Sequence, residues 1–229
     1  MATPDHLDYS RDVVLRISPQ KKTFTVEEHK PGGIIAQKEI LPTDLYYAIN
    51  ASNETFSYLD SGILPEHCIG VSMCSANTIY YLWYPERRAY ICYGDKEYAD
   101  FPIPRLVFGI TLLYTGRVGD CTLGVIADET PTPDTPMFHY PFSNVFDGFR
   151  VCTGNNVLPR YRNRAKLTNF PSYLLGIPDN DDYYDRSCNR KGLGHAELLE
   201  YLKDKEPAHY YSDILVPNGK TLGDFMNRG

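Results

Sequence analysis

The sequence has no long apolar run and no long run of charges of one sign. A membrane-spanning helix needs about 20 mostly apolar residues, and no window approaches that composition, so we expect no membrane contact. The net charge is −6 without a long basic run, which argues against a nucleic-acid partner. The segment Met1–Arg11 carries Asp5 and Asp8 where a signal peptide has a basic start and an apolar core. We therefore expect a cytoplasmic protein.

Motifs for metals and nucleotides are also missing. No two cysteines are spaced as Cys-x-x-Cys, the usual signature of a structural zinc site, and Cys188 and His195 lack obvious further ligands. Gly192 and Gly194 lack the preceding strand and the third glycine of a dinucleotide-binding motif, and no Walker-type loop occurs. We therefore expect neither a metal nor a cofactor. The cysteines are spread singly, which favours reduced thiols; they are Cys68, Cys74, Cys92, Cys121, Cys152 and Cys188.

The residues that are present favour a folded domain rich in β-structure. Apolar residues make up 42% of the chain, enough for a real core, and the 19 tyrosines suit twisted sheets. Alternating or β-branched residues at 12–17, 21–28 and 34–40 predict an antiparallel meander. A short helix is predicted to follow, with Thr43 as its N-cap.

The middle of the chain predicts more strands. Residues 68–74 form one strand, and residues 78–84 are predicted to pair with 88–93 in a hairpin across Pro85-Glu86-Arg87. The prolines at 102 and 104 forbid a central strand before Arg105. A second predicted hairpin joins 106–114 to 121–127.

Helices are predicted mainly near the end, at Gly194–Lys203 and Thr221–Met226, the first with Ala196, Leu199 and Leu202 on its apolar face. Strands first and helices last indicate an α+β fold, with helices beside an antiparallel sheet. We expect three parts within one continuous domain. They are 1–60 with the first strands and helix, 61–165 with the central sheet and the site, and 166–229 with the C-terminal helices.

The stretch from His139 to Gly154 places Asn144 eight residues before Cys152 across a turn. A cysteine acts as a nucleophile when its thiolate is stabilised, and acyl transfer also needs a donor for the developing oxyanion. Cys152 and Asn144 are candidates for these two roles. The alternative is a small buried cysteine and an asparagine that favours a turn, and we interpret His139 as a structural residue.

Three ordered motifs then carry a resemblance. Pro104–Phe108 reads Pro-x-Leu-Val-Phe, Pro141–Val145 reads Pro-Phe-x-Asn-Val, and Val151–Gly154 reads Val-Cys-x-Gly. Together with the proline-rich strand entry at Phe101 and the spacing of eight, the run from Pro102 to Pro159 resembles ubiquitin-conjugating enzymes. It is most similar to the PRTRC system protein B family, a bacterial branch of that superfamily.

The resemblance implies an α+β fold, a four-stranded meander with flanking helices. A hairpin inserted between Phe108 and Asn144 departs from that pattern, because ubiquitin-conjugating enzymes have only a short link there. It implies that Cys152 carries a ubiquitin-like protein as a thioester, with Asn144 as the oxyanion donor and no cofactor. The implied partners are the ubiquitin-like protein, an activating enzyme and a metal-dependent deconjugating peptidase from the same operon. The acidic run 178–182 resembles the loop that follows the active site in these enzymes.

The sequence also departs from the pattern of the ubiquitin-conjugating enzymes. Phe142 and Ser143 separate Pro141 from Asn144, and Gly148 lies one position earlier relative to the cysteine. Two alternatives therefore stay open: a non-catalytic member of the fold that binds a ubiquitin-like protein, and a structural subunit of a plasmid- or phage-associated complex. Thr153 is a further acceptor candidate, because a hydroxyl can take the acyl group as an ester.

Overall fold

A computed structural model describes residues 12–18, 20–52, 61–74 and 76–227. Met1–Arg11, on which the expectation about a signal peptide rests, lies outside these residues. The chain divides into two compact units, Met1–Asp60 and Ser61–Gly229, which we call the N-terminal unit and the C-terminal unit.

The N-terminal unit contains the predicted meander, which is confirmed. Strands β1 (Asp12–Ile17), β2 (Phe24–Lys30) and β3 (Gly33–Ile40) form an antiparallel sheet in that order. Helix α1 (Pro42–Ser52) follows. The prediction of Thr43 as N-cap is wrong, because proline suits the first helical position and the helix begins one residue earlier. The Leu41 N–H instead bonds Asp44 Oδ2 at 3.1 Å.

The C-terminal unit is built on a sheet that, within its described residues, has six strands. Every neighbouring pair is antiparallel, in the order β11-β10-β9-β8-β5-β4. The strands are β4 (Cys68–Met73), β5 (Asn77–Tyr84), β8 (Leu106–Leu113), β9 (Val118–Ile126), β10 (Pro136–Phe138) and β11 (Pro217–Thr221). The predicted β8–β9 hairpin is confirmed, and its strands lie inside the sheet.

The predicted pairing of 78–84 with 88–93 is wrong. Strand β5 pairs with β4 on one edge and β8 on the other, so it has no free edge for another strand. Strands β6 (Arg87–Tyr93) and β7 (Lys96–Ile103) pair instead with each other in a separate hairpin. Because this hairpin is only two strands wide, Pro102 interrupts no central ladder.

Short helices complete the C-terminal unit. They are α2 (Phe170–Leu175), α3 (His195–Leu202) and α4 (Leu222–Met226), with 3-10 turns at Arg164–Asn169 and Arg186–Cys188 and a π-turn at Tyr210–Ile214. The two helices predicted near the C-terminus are confirmed. Ala196 is exposed, however, and Leu198 takes its expected place on the buried face of α3.

The main core lies between the sheet and helices α2 and α3, whereas Leu222 and Phe225 of α4 belong to a second, smaller buried cluster. Leu198, Leu199 and Leu202 of α3 belong to the same buried cluster as Phe108 of β8 and Leu123 of β9. The C-terminal residues therefore complete the core of this unit, and the predicted α+β class is confirmed. Among the described residues, no helix combines the length and apolar character needed to cross a membrane.

Candidate functional site

Asn144 and Cys152 lie opposite each other at the open end of a small hairpin turn, residues 144–152, which we call the site loop. The Cys152 N–H donates to the Asn144 carbonyl oxygen at 2.7 Å. Val145 and Val151 pair across the turn, and the Phe146 N–H donates to the Arg150 carbonyl at 2.9 Å. The spacing of eight therefore reflects an antiparallel pairing that brings the two candidate residues together.

Two left-handed residues shape the site loop. Asn144 has φ +62° and Phe149 has φ +68°. Asparagine adopts this region more readily than most residues, whereas it is unusual for a bulky aromatic. Gly148, the glycine whose shift distinguishes this sequence from ubiquitin-conjugating enzymes, is not left-handed. The residue after it makes the turn, and the Phe149 side chain is buried against Phe225.

The site loop is fixed to the sheet by backbone hydrogen bonds. The Val151 N–H donates to the Cys121 carbonyl at 3.0 Å, and the Leu123 N–H donates to the Phe149 carbonyl at 2.9 Å. The loop thereby covers the part of the β9 edge that β10 leaves open, since β10 pairs only with Val125 and Ile126. Cys152 is thus held at a defined position by main-chain contacts.

Cys152 borders two depressions. One is a narrow cavity of about 50 Å³, enough for a few waters, which we call the site cavity. The other is a surface groove of about 250 Å³ lined by Asp120, Arg150, Thr153 and Leu158. Cys152 itself is half-buried. It therefore stands between a polar interior and a surface open to solvent.

The polar wall of the site cavity opposite Cys152 is built around Asp179. The Asn144 amide nitrogen and the Ser143 hydroxyl both donate to Asp179 Oδ1, and the Asn180 N–H donates to the same oxygen at 3.0 Å. Ser143 is buried. The Asn144 amide thus faces this carboxylate, an arrangement that the Asn144–Cys152 spacing alone did not predict.

Two backbone hydrogen bonds, one at its N–H and one at its carbonyl oxygen, hold Asp179 in place. Its N–H donates to the Cys92 carbonyl at 2.8 Å, and its carbonyl accepts from the Gly94 N–H at 2.8 Å, which joins the loop to the end of β6. Burial raises the pKa of its carboxyl group, and the hydrogen bond from Ser143 opposes that shift. Of the acidic run 178–182, this is the residue that lines the cavity.

His195, the first residue of α3, lies next to the other carboxylate oxygen of Asp179, Oδ2. Its Nε2 lies 3.5 Å from Asp179 Oδ2, and its Nδ1 lies 3.1 Å from the Asn180 carbonyl oxygen. The ring stacks on Tyr184 and meets the edge of Tyr93. Burial lowers the pKa of the imidazole. The sequence pairs His195 only with Cys188, as a metal site without further ligands, and a histidine in line with Leu199 and Leu202 of the helix is the signal that could have identified it.

A family model, prokaryotic E2 family D, matches residues 44–217. The chain belongs to this family. The match spans the site loop, Asp179 and His195, and it supports a ubiquitin-conjugating-like fold for this region. No curated protein and no solved structure matches the chain.

The remaining candidates of this prokaryotic E2 family D protein lie apart from the site cavity or beside it. His139 borders a different depression together with Cys188, and its N–H bonds the Val216 carbonyl at 2.9 Å. Thr153 lines the surface groove next to Cys152. Among the described residues, no cluster of three or more histidine, cysteine, aspartate or glutamate side chains has the arrangement to hold a metal ion.

Proposed function

We propose that this protein carries a ubiquitin-like protein on Cys152 as a thioester and transfers it to an amine. The observation that carries the proposal is the position of Cys152. Backbone bonds lock it opposite Asn144, and this half-buried residue lines both the site cavity and the surface groove. A thiol in that position is reachable from solvent while one side stays next to the polar wall formed by Asn144 and Asp179.

The proposed chemistry is two acyl transfers in succession. In the first, the Cys152 thiolate attacks the thioester on the activating enzyme, a new C–S bond forms, and the enzyme's own thiolate leaves. In the second, an amine nitrogen attacks the Cys152 thioester, a C–N bond forms, the Cys152 thiolate leaves, and the amine gives up its proton to solvent or a nearby base. The sum is an amide bond, and Cys152 is regenerated.

Asn144 is proposed as the donor to the oxyanion in both steps. A side-chain amide has two N–H bonds, and Asp179 accepts one of them. The second is left for a carbonyl oxygen on Cys152. A carboxylate that fixes the amide in advance reduces the reorganisation needed when the negative charge develops.

The proposed partners follow from membership of an E2-like family. A ubiquitin-like protein supplies the acyl group and an activating enzyme delivers it. At the finer level, we propose that the chain is a PRTRC system protein B acting in the bacterial cytoplasm, with a metal-dependent deconjugating peptidase in the same operon. Sequencing the genes on either side tests this assignment directly.

One observation favours a second candidate, a non-catalytic protein of the same fold that binds a ubiquitin-like protein. The Asn144 amide already bonds Asp179, and the Cys152 thiol faces a cavity with room for only a few waters. In that case, the polar wall stabilises the fold and the thiol carries no acyl group.

The deciding experiment incubates the full chain with ATP and with the ubiquitin-like protein and activating enzyme encoded beside its gene. We expect an adduct that a thiol reductant cleaves. Cys152→Ala should abolish it, and Cys152→Ser should convert it to an ester that survives the reductant. Cys188→Ala is the matched control, because Cys188 is another half-buried thiol and its loss should leave the adduct unchanged.

If the wild-type chain forms no adduct at all, the result would favour the non-catalytic alternative. An adduct that persists in Cys152→Ala would contradict the assignment of the acceptor. Thr153→Ala would then test whether the neighbouring hydroxyl carries the acyl group.

A further inference from the structure

We propose that His195 is a positioning residue that shares a single proton with Asp179 and, through Asp179, fixes the direction of the Asn144 amide. The proposal rests on the proposed function only in giving that amide a role in acyl transfer. The side chain of His195 is 1% exposed, so it acts through Asp179 rather than by touching a substrate.

The first step of the argument is the surroundings of the imidazole. Nδ1 lies 3.1 Å from the carbonyl oxygen of Asn180 and 3.4 Å from Asp181 Oδ1. Nε2 lies 3.5 Å from Asp179 Oδ2 and, within the described part of the chain, has no hydrogen-bond partner. Both ring nitrogens therefore face oxygen atoms that accept hydrogen bonds.

A neutral imidazole has only one N–H. If that hydrogen is on Nδ1, the lone pair of Nε2 faces the Asp179 carboxylate; if it is on Nε2, the lone pair of Nδ1 faces the Asn180 carbonyl. Either arrangement sets two acceptors against each other in a buried place, which is costly. One additional proton removes the conflict, either on the ring or on Asp179 Oδ2.

Burial favours the form in which neither partner is charged. It raises the pKa of the Asp179 carboxyl group and lowers the pKa of the His195 imidazole. Both shifts extend the pH range over which the pair holds one proton, because a lone carboxylate and a doubly protonated pair each place a net charge in the cavity wall. A pair coupled this closely titrates as a unit.

The second step connects the pair to Asn144. The two oxygens of Asp179 have separate partners: Oδ2 faces His195, while Oδ1 accepts from the Ser143 hydroxyl, the Asn144 amide and the Asn180 N–H. A carboxylate accepts stronger hydrogen bonds than a neutral carboxyl group. The position of the shared proton therefore sets how tightly the Asn144 amide is held.

The tyrosines around the ring do not exchange a proton with it near neutral pH. Within the described residues, the titratable or charged groups that face or border the ring, or line a cavity with it, are Asp179, Asp181, Tyr93, Tyr140, Tyr184, Arg186, Glu197, Cys92 and Cys152. Burial raises the pKa of Tyr184 to about 12, and a hydrogen bond to Asp181 raises the pKa of Tyr93, so both stay neutral. Burial likewise raises the pKa of Tyr140, which lines the same cavity. Asp181 is 71% exposed and is screened by water.

The test is nuclear magnetic resonance on the unloaded full chain labelled with ¹⁵N. We expect the Asn144 side-chain amide protons and the His195 ring nitrogens to titrate with one common midpoint. We expect His195→Gln to change the proton affinity that Asn144 reports by tenfold or more, and Asp179→Asn to abolish the titration of the Asn144 amide. His209→Gln is the matched control, because His209 bonds Tyr201 and lies 3.3 Å from Asp213, away from Asn144.

Different midpoints for Asn144 and His195 in the wild-type protein would overturn the proposal. An unchanged Asn144 midpoint in His195→Gln would do so as well. The wild-type comparison needs no variant, so the proposal stays testable if His195→Gln does not fold. Failure of the proposed function would look different: no thioester adduct would form while Asn144 and His195 still titrated together.

Discussion

The two sides of the site cavity are held in place by different forces. On the Cys152 side, a main-chain hydrogen bond from Cys152 to Asn144 closes the site loop, and main-chain bonds with Cys121 and Leu123 fix it to the sheet. On the opposite side, Asp179 is surrounded by the side chains of Ser143, Asn144 and His195. Backbone bonds tolerate changes of side chain, whereas a buried polar network does not. We therefore expect substitutions on the Asp179 side to lower the free energy of unfolding most. Substitution of Cys152 should abolish the thioester with little loss of stability, and we call this difference the separation between the two sides.

The largest effect is expected on the Asp179 side. Asp179→Ala removes the acceptor shared by Ser143, Asn144 and the Asn180 N–H and leaves His195 without its partner. Breaking a buried polar pair in this way should lower the free energy of unfolding by about 3 kcal/mol. Urea unfolding measures the change. Asp182→Ala in the same loop is the control, because Asp182 is exposed, and an equal loss there would contradict the separation.

A smaller loss is expected for Ser143→Ala. The buried hydroxyl donates its single hydrogen to Asp179 Oδ1 and lies next to the Asn180 carbonyl oxygen, so its removal should cost about 1.5 kcal/mol of unfolding free energy. Ser212→Ala serves as the control at an exposed serine. If the two variants unfold at the same urea concentration, Ser143 contributes nothing to the polar side.

The free energy of unfolding should change with pH in opposite directions in two variants, one lacking His195 and the other lacking Asp179. In His195→Gln, the raised pKa of Asp179 means that the folded chain holds its proton longer than the unfolded chain, so stability falls as pH rises above 3.8. In Asp179→Asn, the lowered pKa of His195 means that stability falls as pH drops below 6.5. Each slope of the unfolding free energy against pH is expected to reach about 1 kcal/mol per pH unit.

Urea unfolding at several pH values between 4 and 6.5, compared with the wild type, measures these slopes. Parallel slopes in the two variants would show that the pair does not titrate as argued. His209→Gln provides the reference for removing a histidine that is not paired with Asp179.

The smallest change in stability is expected on the Cys152 side. Cys152→Ala keeps every main-chain bond of the site loop and removes one sulfur atom from a half-buried position, so the unfolding free energy should change by less than about 1 kcal/mol. The thioester should nevertheless be lost completely. A destabilisation as large as that of Asp179→Ala would mean that the thiol is a structural group.

Local patterns predicted much of the fold. Alternation identified β8 and β9, and apolar spacing with end signals identified α3 and α4. The pairing of β5 was missed because both of its neighbours, β4 and β8, compete for the same edges as β6, and local spacing carries no information about that competition. Partner choice in a sheet depends on the whole sheet.

The candidate site likewise has a part that lies within one local segment and a part that depends on distant residues. The Asn144–Cys152 pair was predictable because both residues lie in one turn. Asp179 comes 35 residues after Asn144, and His195 was considered only with Cys188 as a possible metal ligand. The acidic run 178–182 was matched to an active-site loop only as a whole, and nothing in the local sequence indicates that folding brings Asp179 to the Asn144 amide and His195 to Asp179. The backbone bonds that join Asp179 to Cys92 and Gly94 depend on the separate β6–β7 hairpin, whereas residues 88–93 of β6 were predicted to pair with 78–84.

Those two bonds from Asp179 also determine where the chain can change its length. An extra residue after Asp182 would lie outside the segment held by these two bonds, so the exposed loop would accommodate it. An extra residue between Ile177 and Asp179 would instead rotate the carboxylate away from Asn144. Variation in loop length among relatives, or in a library of insertions, should therefore concentrate after Asp182 and avoid the two residues before Asp179.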